Sequence, residues 1–153
     1  MFRRFQRLFL TTFTITCLLL SSAEVKGQPP IYAVDGVALN GYDVVAYFTE
    51  GKPVEGDAAY ATTTDGVEWR FASREHLELF TSNPERYLPQ FGGWCAYGVS
   101  NNYKAPTNPD AWTIVHGKLY LNYNTRVRKN WLGDRDERIR TAEENWITLK
   151  SKE

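Results

Sequence analysis

Cys95 lies in the stretch Gly92-Gly93-Trp94-Cys95-Ala96-Tyr97, and the only other cysteine of the chain is Cys17. A thiolate is both a nucleophile and a soft metal ligand, so this is the first residue that could carry chemistry. Two glycines before it permit a sharp turn and a close backbone approach. If Trp94 opens a short helix, Cys95 falls in its first turn, where unpaired N–H groups and the helix dipole lower a thiol's pKa. The plain alternative is a buried cysteine serving as a small hydrophobe. The other candidates are few. His76 and His116 are the only histidines. His76 sits among Arg74, Glu75 and Glu78, which suits an exposed position, and His116 precedes Gly117 as a turn residue. Asp43 is one acid in Gly41-Tyr42-Asp43-Val44-Val45-Ala46-Tyr47-Phe48. It reads as an N-cap for the turn that follows, or as a polar group in an aromatic pocket with Tyr47, Trp94 and Tyr97. No H-E-x-x-H, G-x-S-x-G, C-x-x-C or phosphate-cradling glycine loop is present.

The elements that must position these residues follow from local pattern. Two β-prone runs flank Asp65-Gly66 over 58–73, which predicts a hairpin with Val67, Trp69 and Phe71 on one face. Ser73 caps a helix carrying Leu77 and Phe80, and Asn83-Pro84 breaks it. Residues 112–124 predict a second hairpin turning at His116-Gly117, with Leu119 and Leu121 on one face and Tyr120 on the other. Asn124 caps a helix with Val127 and Trp131, and Gly133 ends it. Asp134 caps a last helix with Ile139, Ala142 and Trp146 on one stripe. The run Val44–Phe48 fits a buried strand or a helical turn equally. Asp35-Gly36 and Asn40-Gly41 mark turns before it. The layout predicts an α+β fold: a small single domain with two β-hairpins, several short helices and a C-terminal covering helix.

The chain begins MFRRFQR, continues through thirteen apolar or small residues and reaches Ser21-Ser22-Ala23. This pattern predicts a secretory signal peptide over 1–23, cleaved after Ala23. At about 1.5 Å per residue the run covers roughly 20 Å, short of the hydrocarbon core of a bilayer. Cleavage therefore leaves no stable membrane insertion and removes Cys17; the alternative is an uncleaved anchor. A short leader over 24–31 and a domain over 32–150 remain. The signal segment holds three of the 18 basic residues and none of the 18 acids, so the remainder carries a net charge of −3. No basic excess points to nucleic acid. The export pattern places the protein in the periplasm or the medium, where a lone Cys95 calls for a partner chain, a metal or a reactive thiol.

VDGVALNGYDVVAYF, WRFAS, NPERYLPQFGGWCAYGVS, AWTIVHGKLYLNYN and the closing Trp131-Leu132-Gly133-Asp134, in this order, resemble the YHS-domain family and its exported bacterial single-domain branch. The resemblance runs from Tyr32 to Leu149. It implies a metal-handling module, since some members of the wider family are fused to copper-transporting ATPases. Some members of the narrower branch are described as selenoproteins; selenium at the place of Cys95 would imply a reactive or metal-binding thiol. The metal-handling members use a pattern like Y-F-C-S-x-x-C, whereas this chain has Arg70-Phe71-Ala72-Ser73, so that site does not carry over.

Three functions follow as expectations. The first is an exported protein, not a classical enzyme, that binds a soft metal through Cys95 with His76 or His116 as helpers. Copper as Cu(I) comes first and zinc second, because a full zinc site would need carboxylates as well. Its partner is the metal ion or a metal-delivery protein. The second is a thiol redox protein using the same cysteine. The third is a small-ligand or protein-interaction domain in which Cys95 is structural.

Overall fold

The computed structural model describes residues 30–152. The expected signal peptide and residues 24–29 of the leader lie outside the described residues.

Three X-Gly dipeptides build three antiparallel pairs. Asp35-Gly36, Asp65-Gly66 and His116-Gly117 each hold two successive positive φ angles (51° and 79°, 54° and 77°, 50° and 74°). Such turns match the natural twist of the strands they join. The first joins β1 (Ala33–Val34) to β2 (Val37–Ala38). The second joins β3 (Asp57–Thr64) to β4 (Val67–Phe71), and the third joins β5 (Trp112–Val115) to β6 (Lys118–Leu121). The two expected hairpins are present, and β1–β2 is an additional, very short one. β2 runs parallel to β4 through Val37 opposite Glu68, so one sheet has the order β1-β2-β4-β3 and β5-β6 forms a second.

Alternation sets the core. Along β4, Val67, Trp69 and Phe71 are buried, as the period of two predicts. Each large side chain taken from water contributes about 2–3 kcal/mol. Phe80 of α2 (Arg74–Ser82) packs on both rings, 5.4 Å from Trp69 and 5.0 Å from Phe71 between centroids. Ser73 caps α2 by accepting the His76 N–H at 3.2 Å. Pro84 opens the four-residue α3 (Pro84–Tyr87) from its first position. β6 departs from alternation, because Leu119, Tyr120 and Leu121 are all buried. Tyr120 does not face water: it packs 5.4 Å from Trp131 and 5.9 Å from Phe91. Trp131 comes from α5 (Thr125–Gly133), whose Asn124 cap accepts the Val127 N–H.

The run Val44–Phe48 is helical, not a strand. Asp43 decides it by accepting the N–H groups of Val45 and Ala46 on Oδ1, which starts the one-turn α1 (Ala46–Thr49). α6 (Arg135–Leu149) covers α4 (Ala96–Ser100). Asn145 donates to the Val99 and Ser100 carbonyls, and Arg138 lies over the Tyr97 ring at 4.3 Å. Ile31, the last residue of the expected leader, is buried together with Tyr32.

Candidate functional site

Cys95 closes the N-terminal end of α4. Its Sγ accepts the Gly98 N–H at 3.5 Å and the Tyr123 N–H at 3.2 Å, and its thiol donates to Asn122 Oδ1 at 3.7 Å. The same oxygen accepts the Tyr97 N–H at 3.1 Å, which fixes the orientation of the Asn122 amide. Asn122 is fully buried, and its Nδ2 has no partner among the described residues. Cys95 borders a cavity of about 270 Å³ that Tyr97, Tyr103, Ala105, Tyr123 and Val127 also line. Tyr103 and Tyr123 are about half exposed, so two rings also face solvent.

The helix does not begin where expected, and the thiol responds in the opposite sense. α4 starts at Ala96, with Cys95 as its cap. Burial pushes the Cys95 thiol up, against bonds from the Gly98, Tyr123 and Tyr97 N–H groups that pull it down. Desolvation wins because Cys95 is 1% exposed and a helix of five residues carries little dipole. Burial also pushes up Tyr47, whose hydroxyl donates to the Pro109 carbonyl at 3.1 Å. A folded-state pKa above the unfolded value means that the unfolded chain loses its proton first. Stability from Cys95 is therefore complete below the ordinary thiol pKa and falls as pH rises through it toward the folded value. Urea midpoints measured across about pH 7–10 should fall on the alkaline side, and Cys95→Ala should remove the first part of that slope. A slope identical in the variant would show that the thiol is not linked to folding.

A second cluster gathers Asp43, His76 and Thr49. Asp43 is fully buried, and besides its two α1 bonds its Oδ2 accepts the Ala72 N–H at 2.8 Å and meets His76 Nδ1 at 2.6 Å. A carboxylate only accepts, so Nδ1 is the donor. The other ring nitrogen, Nε2, lies 3.2 Å from Thr49 Oγ1. The His76 side chain is 12% exposed, so it is not the surface histidine that its charged neighbours suggested. Asp43 ties together α1, Ala72 just after β4, and α2, and it does not line the Cys95 cavity. Tyr47 is buried against Trp112, and Trp94 against Tyr32 with Lys104 above it. Of the four expected pocket residues, only Tyr97 meets Cys95 at the cavity.

The expected metal ligands are not brought together. His76 is bound to Asp43 and Thr49, and His116 is exposed at the β5–β6 turn with a φ of 50°. Among the described residues, no three His, Cys, Asp or Glu side chains gather where they could hold an ion. Two N–H groups already point at Sγ, and the nearby Asn122 oxygen is a hard donor. This donor set does not fit a resident Cu(I) or zinc ion supplied by the chain alone. Sequence reasoning missed Asn122, Tyr123 and Thr49. Asn122 had a visible sign, a polar residue directly after the apolar run Leu119-Tyr120-Leu121.

Comparison with known protein families, with curated proteins and with solved structures gives no match to this chain. Among the described residues no helix is long and apolar enough to cross a membrane.

Proposed function

We propose that the protein is an exported thiol redox protein of the YHS-like kind, with Cys95 as its reacting group. One observation carries the reading: Cys95 lines an aromatic cavity, and the Gly98 and Tyr123 N–H groups are directed at its Sγ. These donors can bear the charge of a thiolate when it forms, while burial keeps the resting thiol protonated. If the selenium of the branch that the chain resembles falls at the place of Cys95, it would fit the same role. In the reaction the thiol gives up its proton, Sγ attacks the distal oxygen of a hydroperoxide and the O–O bond breaks. The displaced alkoxide takes the proton, leaving a sulfenic acid and an alcohol. A thiol on a partner chain then displaces water to give a mixed disulfide.

The cavity walls favour an aromatic oxidant. Cumene hydroperoxide should form a trappable sulfenic acid on Cys95 at least about tenfold faster than hydrogen peroxide does, a difference worth one 1.4 kcal/mol step. Labelling that appears only after unfolding would sink this reading and leave a structural cysteine. A copper role, the other reading of the same sulfur, requires a second ligand from a metal-delivery partner. A Cu(I) titration of wild type beside Cys95→Ala, run with that partner, separates it from the redox reading.

A further inference from the structure

The Asp43–His76–Thr49 cluster takes no part in the proposed thiol chemistry, yet its order is that of a buried acid, a base and an accessible hydroxyl. Asp43 is fixed from four directions by Val45, Ala46, Ala72 and His76, so it cannot turn away from the ring. It holds the proton on Nδ1 and thereby leaves Nε2, in the neutral ring, as the acceptor. Nε2 is 3.2 Å from Thr49 Oγ1, and Thr49 is exposed. The hydroxyl proton has two acceptors within reach, Nε2 and the Val45 carbonyl, also at 3.2 Å. When it turns to Nε2, the oxygen becomes a nucleophile with a positioned base.

We propose that Thr49 is an acyl-accepting hydroxyl, activated by His76 and taking small acyl groups from esters with good leaving groups. Thr49 Oγ1 attacks the carbonyl carbon, and its proton passes to His76 Nε2. The bond from that carbon to the leaving oxygen breaks, and Nε2 returns the proton to the departing alcohol. The acyl group stays on Thr49 as an ester until water, deprotonated by the same nitrogen, releases the acid. Asp43 is a positioning residue and touches no substrate. The nearby amides Thr49 N and Glu50 N are already bonded to the Val45 and Ala46 carbonyls and so do not hold the acyl oxygen. The acceleration is therefore that of a general base alone, about a hundredfold or somewhat more, which restricts the reaction to activated donors.

Thr81 supplies an internal reference. It is also exposed on a helix, and its hydroxyl donates to the Leu77 and Glu78 carbonyls with no histidine among its hydrogen-bond partners. The full chain is treated with p-nitrophenyl acetate, and acetyl groups are located by peptide mass spectrometry. The expected result is acetylation at Thr49 at least about tenfold faster than at Thr81, lost in Thr49→Val and brought to the Thr81 rate in His76→Gln. Circular dichroism of both variants checks that they remain folded. Should His76→Gln unfold the chain, the ratio of the Thr49 rate to the Thr81 rate in the unaltered chain carries the test. Equal rates at Thr49 and Thr81, an unchanged rate in a folded His76→Gln, or acetyl on His76 instead of Thr49 would each overturn the proposal.

Discussion

Asp43→Ala is expected to cost about 4 kcal/mol of stability, as a fall in the urea midpoint with little change in slope. The carboxylate accepts three backbone N–H groups and the His76 ring while fully buried. Alanine leaves these donors in a space closed to solvent. Each orphaned group costs about 1–3 kcal/mol, and partial entry of water keeps the total below the simple sum. Asparagine should fare little better. Its Oδ1 can keep the Val45 and Ala46 bonds, but its amide group then meets two more donors, the Ala72 N–H and His76 Nδ1–H. Asp43→Asn should therefore lose at least about 2 kcal/mol. A loss under about 1 kcal/mol in both variants would mean that the three elements meeting at Asp43 hold together without it.

This hub marks the limit of what the sequence shows. Features decided within a few residues were legible. The X-Gly turns, the Ser73 and Asn124 caps, the alternation of β4 and the stripe on α6 rest on local sterics and local hydrogen bonds. The N-cap role of Asp43 was legible for the same reason. Its tie to His76 was not, because 33 residues separate them and the charges around His76 pointed toward solvent. Tyr120 misled in the same way. Alternation assigns it to the outer face of a hairpin, but Trp131 and Phe91 cover that face from later and earlier in the chain. For Cys95 the local features, a helix start and free amides, indicate a lowered thiol pKa. Burial of the thiol is a tertiary effect, and it reverses the sign.

The two glycines before Cys95 have a structural explanation, and it predicts a second large effect. Gly92 adopts φ +60°, and a Cβ there would stand 1.6 Å from the Pro30 carbonyl oxygen. Its own carbonyl accepts the Tyr32 N–H at 2.8 Å, so the start of the domain lies directly on this turn. Gly93, at φ +84°, would meet Leu39 at 2.4 Å. The glycines thus serve the docking of residues 30–39, and they bring Trp94 against Tyr32 at 5.1 Å. Gly92→Ala should expel the Pro30–Tyr32 segment, losing the burial of Ile31 and Tyr32 and the Tyr32 hydrogen bond. The expected cost is about 3–4 kcal/mol, with much faster hydrogen exchange at the Tyr32 amide. Gly66→Ala is the control: its φ of +77° is equally left-handed, but a Cβ there meets nothing within 4 Å. It should cost only about 1 kcal/mol, the backbone penalty alone. Equal losses in the two variants would assign the whole effect to φ and remove the steric role of the close approach. A larger loss at Gly92 that leaves the Tyr32 amide protected would place the damage in the turn itself, next to Cys95, and cavity labelling would then change with it.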